Sequence, residues 1–224
     1  MTELCGVTAY LDHDAPAVRE FVRRAVPDED LSLTAKAVRL YYAVRDGIRY
    51  DVYGADLSRA GLRASSVVRA GKGFCLHKSI LYAAAVRAVG IPSRLVLTDV
   101  RNHLASARLK ELVGGDVFRF HCLTAVELEG RWVRATPVFN RTLCRLYGIT
   151  PLEFDGTADS VHHPYDARGR RHMELLHEHG EFADFPYDLV VPGLSLASPR
   201  LFSGSSVLAS GSLAAEAEPR RRAA

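Results

Sequence analysis

The sequence predicts an α+β fold in which helices pack against an antiparallel sheet. Three observations carry this. Residues 14–26 and 34–46 repeat apolar side chains at helical spacing. Residues 75–89 hold eleven apolar side chains out of fifteen, spread all round a helix, which is the pattern of a buried one. Residues 121–137 read as two extended runs joined at Glu129-Gly130.

Taken in order, the first helix has Val18, Phe21, Val22 and Ala25 on one face, with Asp14 placed to cap it and Pro16 in its first turn. The second has Ala37, Leu40, Tyr41 and Val44 on one face and Gly47 as its stop. "IRYDVYG" is a short extended piece, and "ASSVVRAG" (64–71) a brief capped helix ending in glycine. Gly90 and Pro92 end the apolar helix, and "RLVLTDV" (94–100) has the β-branched content of a strand. Residues 101–117 read as a loop or short helix, and residues 171–179 as a further helix. The expected organisation is one domain over 1–202, followed by a disordered tail over 203–224. In that tail 13 of 22 residues are Ala, Ser or Gly, and the basic cluster at 220–222 reads as a solvated end.

Composition excludes several function classes. With 29 basic and 26 acidic residues the net charge is only +3, so no nucleic-acid face is implied. No apolar stretch approaches the roughly 20 residues of a membrane span. The N-terminus "MTELCGVTAYLDHD" lacks the charged and apolar regions of a signal peptide, and the four cysteines form no Cys-x-x-Cys pair. The expectation is a cytoplasmic protein with free thiols and no disulfides. Nothing in the sequence speaks to oligomeric state.

Chemistry centres on Cys75, placed by "GKGFCLHKSIL" at the first turn of the buried helix. Unpaired N–H groups and the positive end of the helix dipole favour thiolate there, and the same groups suit a developing oxyanion. Gly71 and Gly73 leave room for a close approach of backbone to substrate. A nucleophile needs a base. Of nine histidines only His121 starts a strand of the hairpin. With Glu129-Gly130 as the loop, Leu128 faces Arg131, Leu123 faces Thr136 and His121 faces Val138. Thr136 is then the diagonal neighbour of His121 on one sheet face, with Cβ atoms about 7 Å apart or less, and could orient the imidazole from behind.

The segments "YYAVRDGIRYD", "GKGFCLHKSILYAAAVRAVGIPSRLV" and "FRFHCLTAVELEGRWVRATP" resemble the transglutaminase-like superfamily, relatives of papain-type proteases and arylamine N-acetyltransferases, over roughly residues 38–140. The resemblance implies a transglutaminase-like, papain-like fold with Cys75 as nucleophile and His121 as general base. The family's aspartate after the hairpin tryptophan is missing: "VRATPVFN" follows Trp132, and Thr136 stands in the aspartate's place. Asn140 and Asp155 are the alternatives for that third role, since papain-type enzymes use asparagine.

The activity implied is cysteine-dependent acyl transfer on an amide or thioester substrate, free or bound to a carrier protein, with no metal and no organic cofactor. An amidase, protease or acyltransferase is the first reading. A cyclase releasing a thioester-bound polyketide–peptide chain by intramolecular, Dieckmann-type condensation is the second. A non-catalytic binding domain, motivated by the missing aspartate, is the third. Other residues read as structural: His77 as a structural or rim group, Arg87 and Arg94 as members of ion pairs, and Trp132 as core beneath the hairpin. His172, His177 and His179 lie on the expected surface helix without the i, i+4 spacing of zinc ligands. The spacing of His103, His121 and Cys75 does not favour a metal site.

Overall fold

Pro16 opens helix α1 (Pro16–Ala25), with Ala15 at the N-cap and no capping side chain. Asp14 lies one residue before the N-cap and does not cap the helix, and Pro16 at the first position fixes φ for it. Helix α2 (Leu33–Gly47) is capped by Ser32, whose side chain accepts from Ala35 N. The chain then forms strand β1 (Arg49–Tyr50), helix α3 (Ala64–Ala70), strand β2 (Lys72–Gly73) and the central helix α4 (Cys75–Ala88). After these come β3 (Ser93–Asn102), α5 (Ala107–Val113), β4 (Val117–Leu128), β5 (Arg131–Ala135), α6 (Arg141–Tyr147), β6 (Met173–Phe182) and α7 (Tyr187–Ala197). The computed structural model describes residues 3–162, 169–170, 172–202, 207–213 and 216. Among them no helix is long and apolar enough to cross a membrane.

The main sheet is antiparallel with strand order β5-β4-β3-β6, and β1 pairs with β2 in parallel beside it. The hairpin register is the expected one: Leu128 pairs with Arg131 and Thr124 with Ala135, and Glu129 and Gly130 both take positive φ, as a two-residue type I′ loop requires. β4 itself starts at Val117, so His121 lies inside the strand rather than at its start. Residues 173–182 form a strand and not a helix. Their Met, Leu and Glu content favours helix locally, but the open edge of β3 supplies ladder partners from Met173 to Phe182, with two register shifts.

Trp132 is 37% exposed, so it is not core. It faces outward under the Arg94 guanidinium, 4.4 Å from the ring centre, while Val133 and Ala135 point inward. Arg94 pairs with Glu181 as expected. Arg87 differs: it donates to the Gly6, Ser93 and Ala183 carbonyls and to Ser93 Oγ. Chain order also extends past 202. Leu208 is buried, its N–H donates to Ala55 O, and Gly54 N–H donates to Ala209 O. The basic cluster at 220–222 lies outside the described residues, as does His163.

α4 is buried at every position from Cys75 to Arg87, against β4 and β3 on one side and α1, α2 and α3 on the other. Its polar side chains tie it to its neighbours on both sides. Lys78 Nζ donates to Arg45 O and Ile48 O at the end of α2, and Tyr82 Oη donates to Ala37 O. Ser79 Oγ donates to Cys122 O at 2.8 Å, and Thr124 Oγ1 donates to Ser79 O at 3.1 Å, which fixes α4 against β4. His77 Nε2 meets Asp56 O at 3.0 Å, and the ring packs on Phe74. That ring also fills the space beside Gly73, where a Cβ would lie 2.5 Å from His77 Cβ. The glycine is needed for β2 to approach α4, not to admit substrate.

Ser79→Ala should therefore cost about 1–2 kcal/mol by loosening the buried tie to β4. A urea melt that matches wild type would show that the tie contributes no stability.

Candidate active site

Cys75 is the first residue of α4, behind Phe74 in extended conformation with no capping side chain. The main-chain N–H groups of Cys122, Leu76 and Cys75 itself favour its thiolate form. Two of these donors belong to the helix start and the third to β4, an arrangement suited to holding an oxyanion. Burial outweighs them at rest and pushes the thiol up to about 11. The expectation of a thiol depressed by the helix end is thus corrected: with the residue only 8% exposed, desolvation disfavours thiolate more than three N–H groups favour it.

His121 reaches the site through a bulge. β4 has one more residue than β3 between the pairs Thr98–His121 and Val100–Phe118, and Phe120 absorbs it at φ 55°. Such a conformation is unfavourable for phenylalanine and has to be held by its surroundings. Asp99, 1% exposed, holds it. Its carboxylate accepts from Phe120 N–H at 3.1 Å, meets His179 Nε2 at 2.8 Å and pairs with Arg119. The His179 ring stacks on the Phe120 ring at 4.7 Å. Burial pushes the Asp99 carboxyl up, but the bonds from His179, Arg119 and Phe120 N–H together hold it below the usual range. Sequence reading missed Asp99; the signal was a lone carboxylate inside the apolar run "RLVLTDV". His177 and His179 lie on β6 and His172 just before it, and no group of His, Cys, Asp or Glu among the described residues could hold a metal ion.

Cys75 and His121 line one cavity of about 100 Å³. Burial lowers His121 to about 4, and the neighbouring His162 pushes in the same direction. At neutral pH the pair is therefore a thiol and a neutral imidazole, not a thiolate and an imidazolium.

A second cavity of about 20 Å³ is lined by His121, Thr136, His162 and His172 among others. Thr136 thus stands beside His121, but its buried hydroxyl has no hydrogen-bond partner, so the bond expected between them is not made. The strand ladder ends at Ala135, and the Thr136 main chain turns to Ser160 O and Tyr41 Oη. The two alternatives are engaged elsewhere. Asn140 accepts from Tyr50 N–H and donates to Arg45 O and to Ile48 O, joining Lys78 at the end of α2. Asp155 caps Thr157 through its N–H and hydroxyl.

Helices and an antiparallel sheet, with a cysteine heading the buried helix and a histidine on the strand it crosses, define the class. Residues 19–137, just over half of the chain, match the model of the transglutaminase-like superfamily, and the chain belongs to that superfamily. Among solved structures, a candidate cysteine protease from Cytophaga hutchinsonii is 13% identical, with 80% of this chain and 52% of that one covered and a TM-score of 0.45. The chain thus spans about half the length of that protein. No curated protein matches.

Two outcomes follow from this geometry. With the Cys75 thiol near 11, its thiolate fraction grows about tenfold per pH unit below that value. Iodoacetamide labelling of Cys75 should therefore climb steeply from pH 6 to pH 9, whereas a plateau across that range would reveal a preformed ion pair. Asp99→Asn removes the charge that Phe120, Arg119 and His179 share. It should lower stability by about 2 kcal/mol in chemical denaturation, and an unchanged midpoint would show that the bulge holds without it.

Proposed function

We propose that this protein catalyses cysteine-dependent acyl transfer, taking an acyl group from an amide or thioester onto Cys75. The observation that carries the reading is the convergence on one cavity of Cys75, at the start of a buried helix, and His121. Because the resting pair is neutral, the proton moves during attack. Sγ bonds the carbonyl carbon as His121 takes the thiol proton, and the N–H groups hold the oxyanion. His121 then returns the proton to the departing amine or thiol. The acyl-enzyme passes its acyl group to water, to an amine, or in the cyclase version to a carbon nucleophile within the same chain. Product analysis separates these: free acid, amide or ring. Thr136 is the third member of the site in this reading, placed beside the imidazole as an uncharged group in the position where the family carries aspartate.

The raised Cys75 thiol and the absent aspartate favour one competing reading, a binding domain without turnover. Acylation decides between them. Wild-type protein mixed with an activated acyl thioester should gain the mass of one acyl group, and Cys75→Ala should gain none. His121→Ala should form the adduct at least ~100-fold more slowly, the usual size of a general acid–base contribution. An adduct that survives Cys75→Ala, or no adduct on the wild type, would remove the proposal.

A further inference from the structure

Away from Cys75 most of the wall of the 100 Å³ cavity is apolar, with Tyr50, Asn102, Ser106, Arg119, His172 and Ser198 among the polar residues on its lining. Val52, Phe74, Leu109, Leu143, Leu194 and Leu213 line it, drawn from six separate stretches of the chain. Of these only Phe74 adjoins Cys75 or His121 in the sequence. Leu143, Leu194 and Leu213 all lie beyond residue 137, where the superfamily match ends. The far wall is held in place by polar ties at its back: Tyr147 Oη donates to Leu213 O, and Ser198 Oγ donates to Val113 O. A buried apolar space that opens on a nucleophilic sulfur has one natural occupant, the part of the substrate attached to the carbonyl under attack.

We infer that this cavity is an acyl-binding pocket and that the acyl donor carries a compact apolar acyl group rather than a polar side chain. The inference rests on the acyl-transfer reading of Cys75 and names its substrate class. A carboxamide or charged group placed against the mainly apolar wall would lose more of its water than the few polar lining groups could replace. Since an apolar cavity of about 150 Å³ admits benzene, this one, about two-thirds of that volume, suits roughly four carbons beyond the carbonyl. In the step itself the Sγ–C bond forms as the donor's C–S or C–N bond breaks. The thiol proton leaves through His121 to the departing group, and the alkyl or aryl remainder stays in the pocket.

The test uses the full chain and N-acetylcysteamine thioesters of acetic, butyric, hexanoic and decanoic acids, following the Cys75 adduct by intact mass. Each methylene that enters the pocket should raise the acylation rate about threefold to fourfold up to hexanoyl, with no further gain at decanoyl. Ala105→Phe narrows the cavity and should move the optimum toward the shorter acids, with its fold checked by thermal melting. A second readout needs no acylation: hexanamide should protect Cys75 from iodoacetamide at concentrations where acetamide does not. Acylation that ignores chain length, together with equal protection by the two amides, would overturn the pocket and leave acyl transfer standing. Protection by hexanamide with no acylation by any thioester would keep the pocket and remove acyl transfer. Neither acylation nor protection would remove both.

Discussion

A helix buried on every side has to pair most of its polar groups, and the whole site depends on how α4 does so, with His77 Nδ1 a buried atom left without a partner. Ser79 Oγ binds Cys122 O, and Thr124 Oγ1 binds Ser79 O in return. One turn back along the helix from Ser79 is Cys75; one residue back along the strand from Cys122 is His121. The reciprocal pair therefore sets helix against strand and, with them, the thiol against the imidazole. A slip of α4 by one turn would carry Cys75 about 5.4 Å away and strand two buried carbonyl partners. Lys78 adds a second fixed point, its ammonium pushed well below the usual lysine range by burial while it donates to the end of α2. Asn140 binds the same two carbonyls from the other side, so the end of α2, the helix carrying Cys75 and the chain after the hairpin meet at one knot.

The burial that makes this frame rigid also sets the electrostatics. It takes the Cys75 thiol up to about 11 and His121 down to about 4, opposite to the directions an ion pair would need. The main-chain N–H groups that favour the thiolate have little of it to stabilise at rest; in the proposed reaction they act when charge develops on the carbonyl oxygen. Asp99 plays a different part from the aspartate of the family. It sits on β3 rather than after the hairpin, and it supports the imidazole through the backbone bulge at Phe120 rather than through a bond to the ring.

What was legible in the sequence was what local pattern determines. The hairpin register followed from a two-residue turn and strict alternation, and the position of Cys75 at a helix start followed from glycines before an apolar run. What was not legible was set at a distance. Residues 173–182 have helix-forming side chains and became a strand because β3 offered an open edge. Trp132 looked like core by size, but the inward positions of its strand were already taken by Val133 and Ala135. The thiol was expected to be depressed because a helix end is visible in sequence, whereas the depth at which that end is buried is not. Register puts Thr136 on the sheet face of His121 and the two line one small cavity, yet the ladder stops one residue short and the Thr136 hydroxyl makes no bond to the ring.

The superfamily match covers Cys75, His121 and the hairpin, while much of the cavity wall comes from the chain beyond it. In the proposed reading, the reacting groups and the acyl pocket thus come from different parts of the sequence. The claim underneath all of this is that the resting pair is uncharged, and NMR titration of the His121 ring tests it most directly. The ring should stay neutral at pH 7, gain its proton only near pH 4, and behave the same in Cys75→Ala. An imidazolium at pH 7 that disappears in Cys75→Ala would contradict the account.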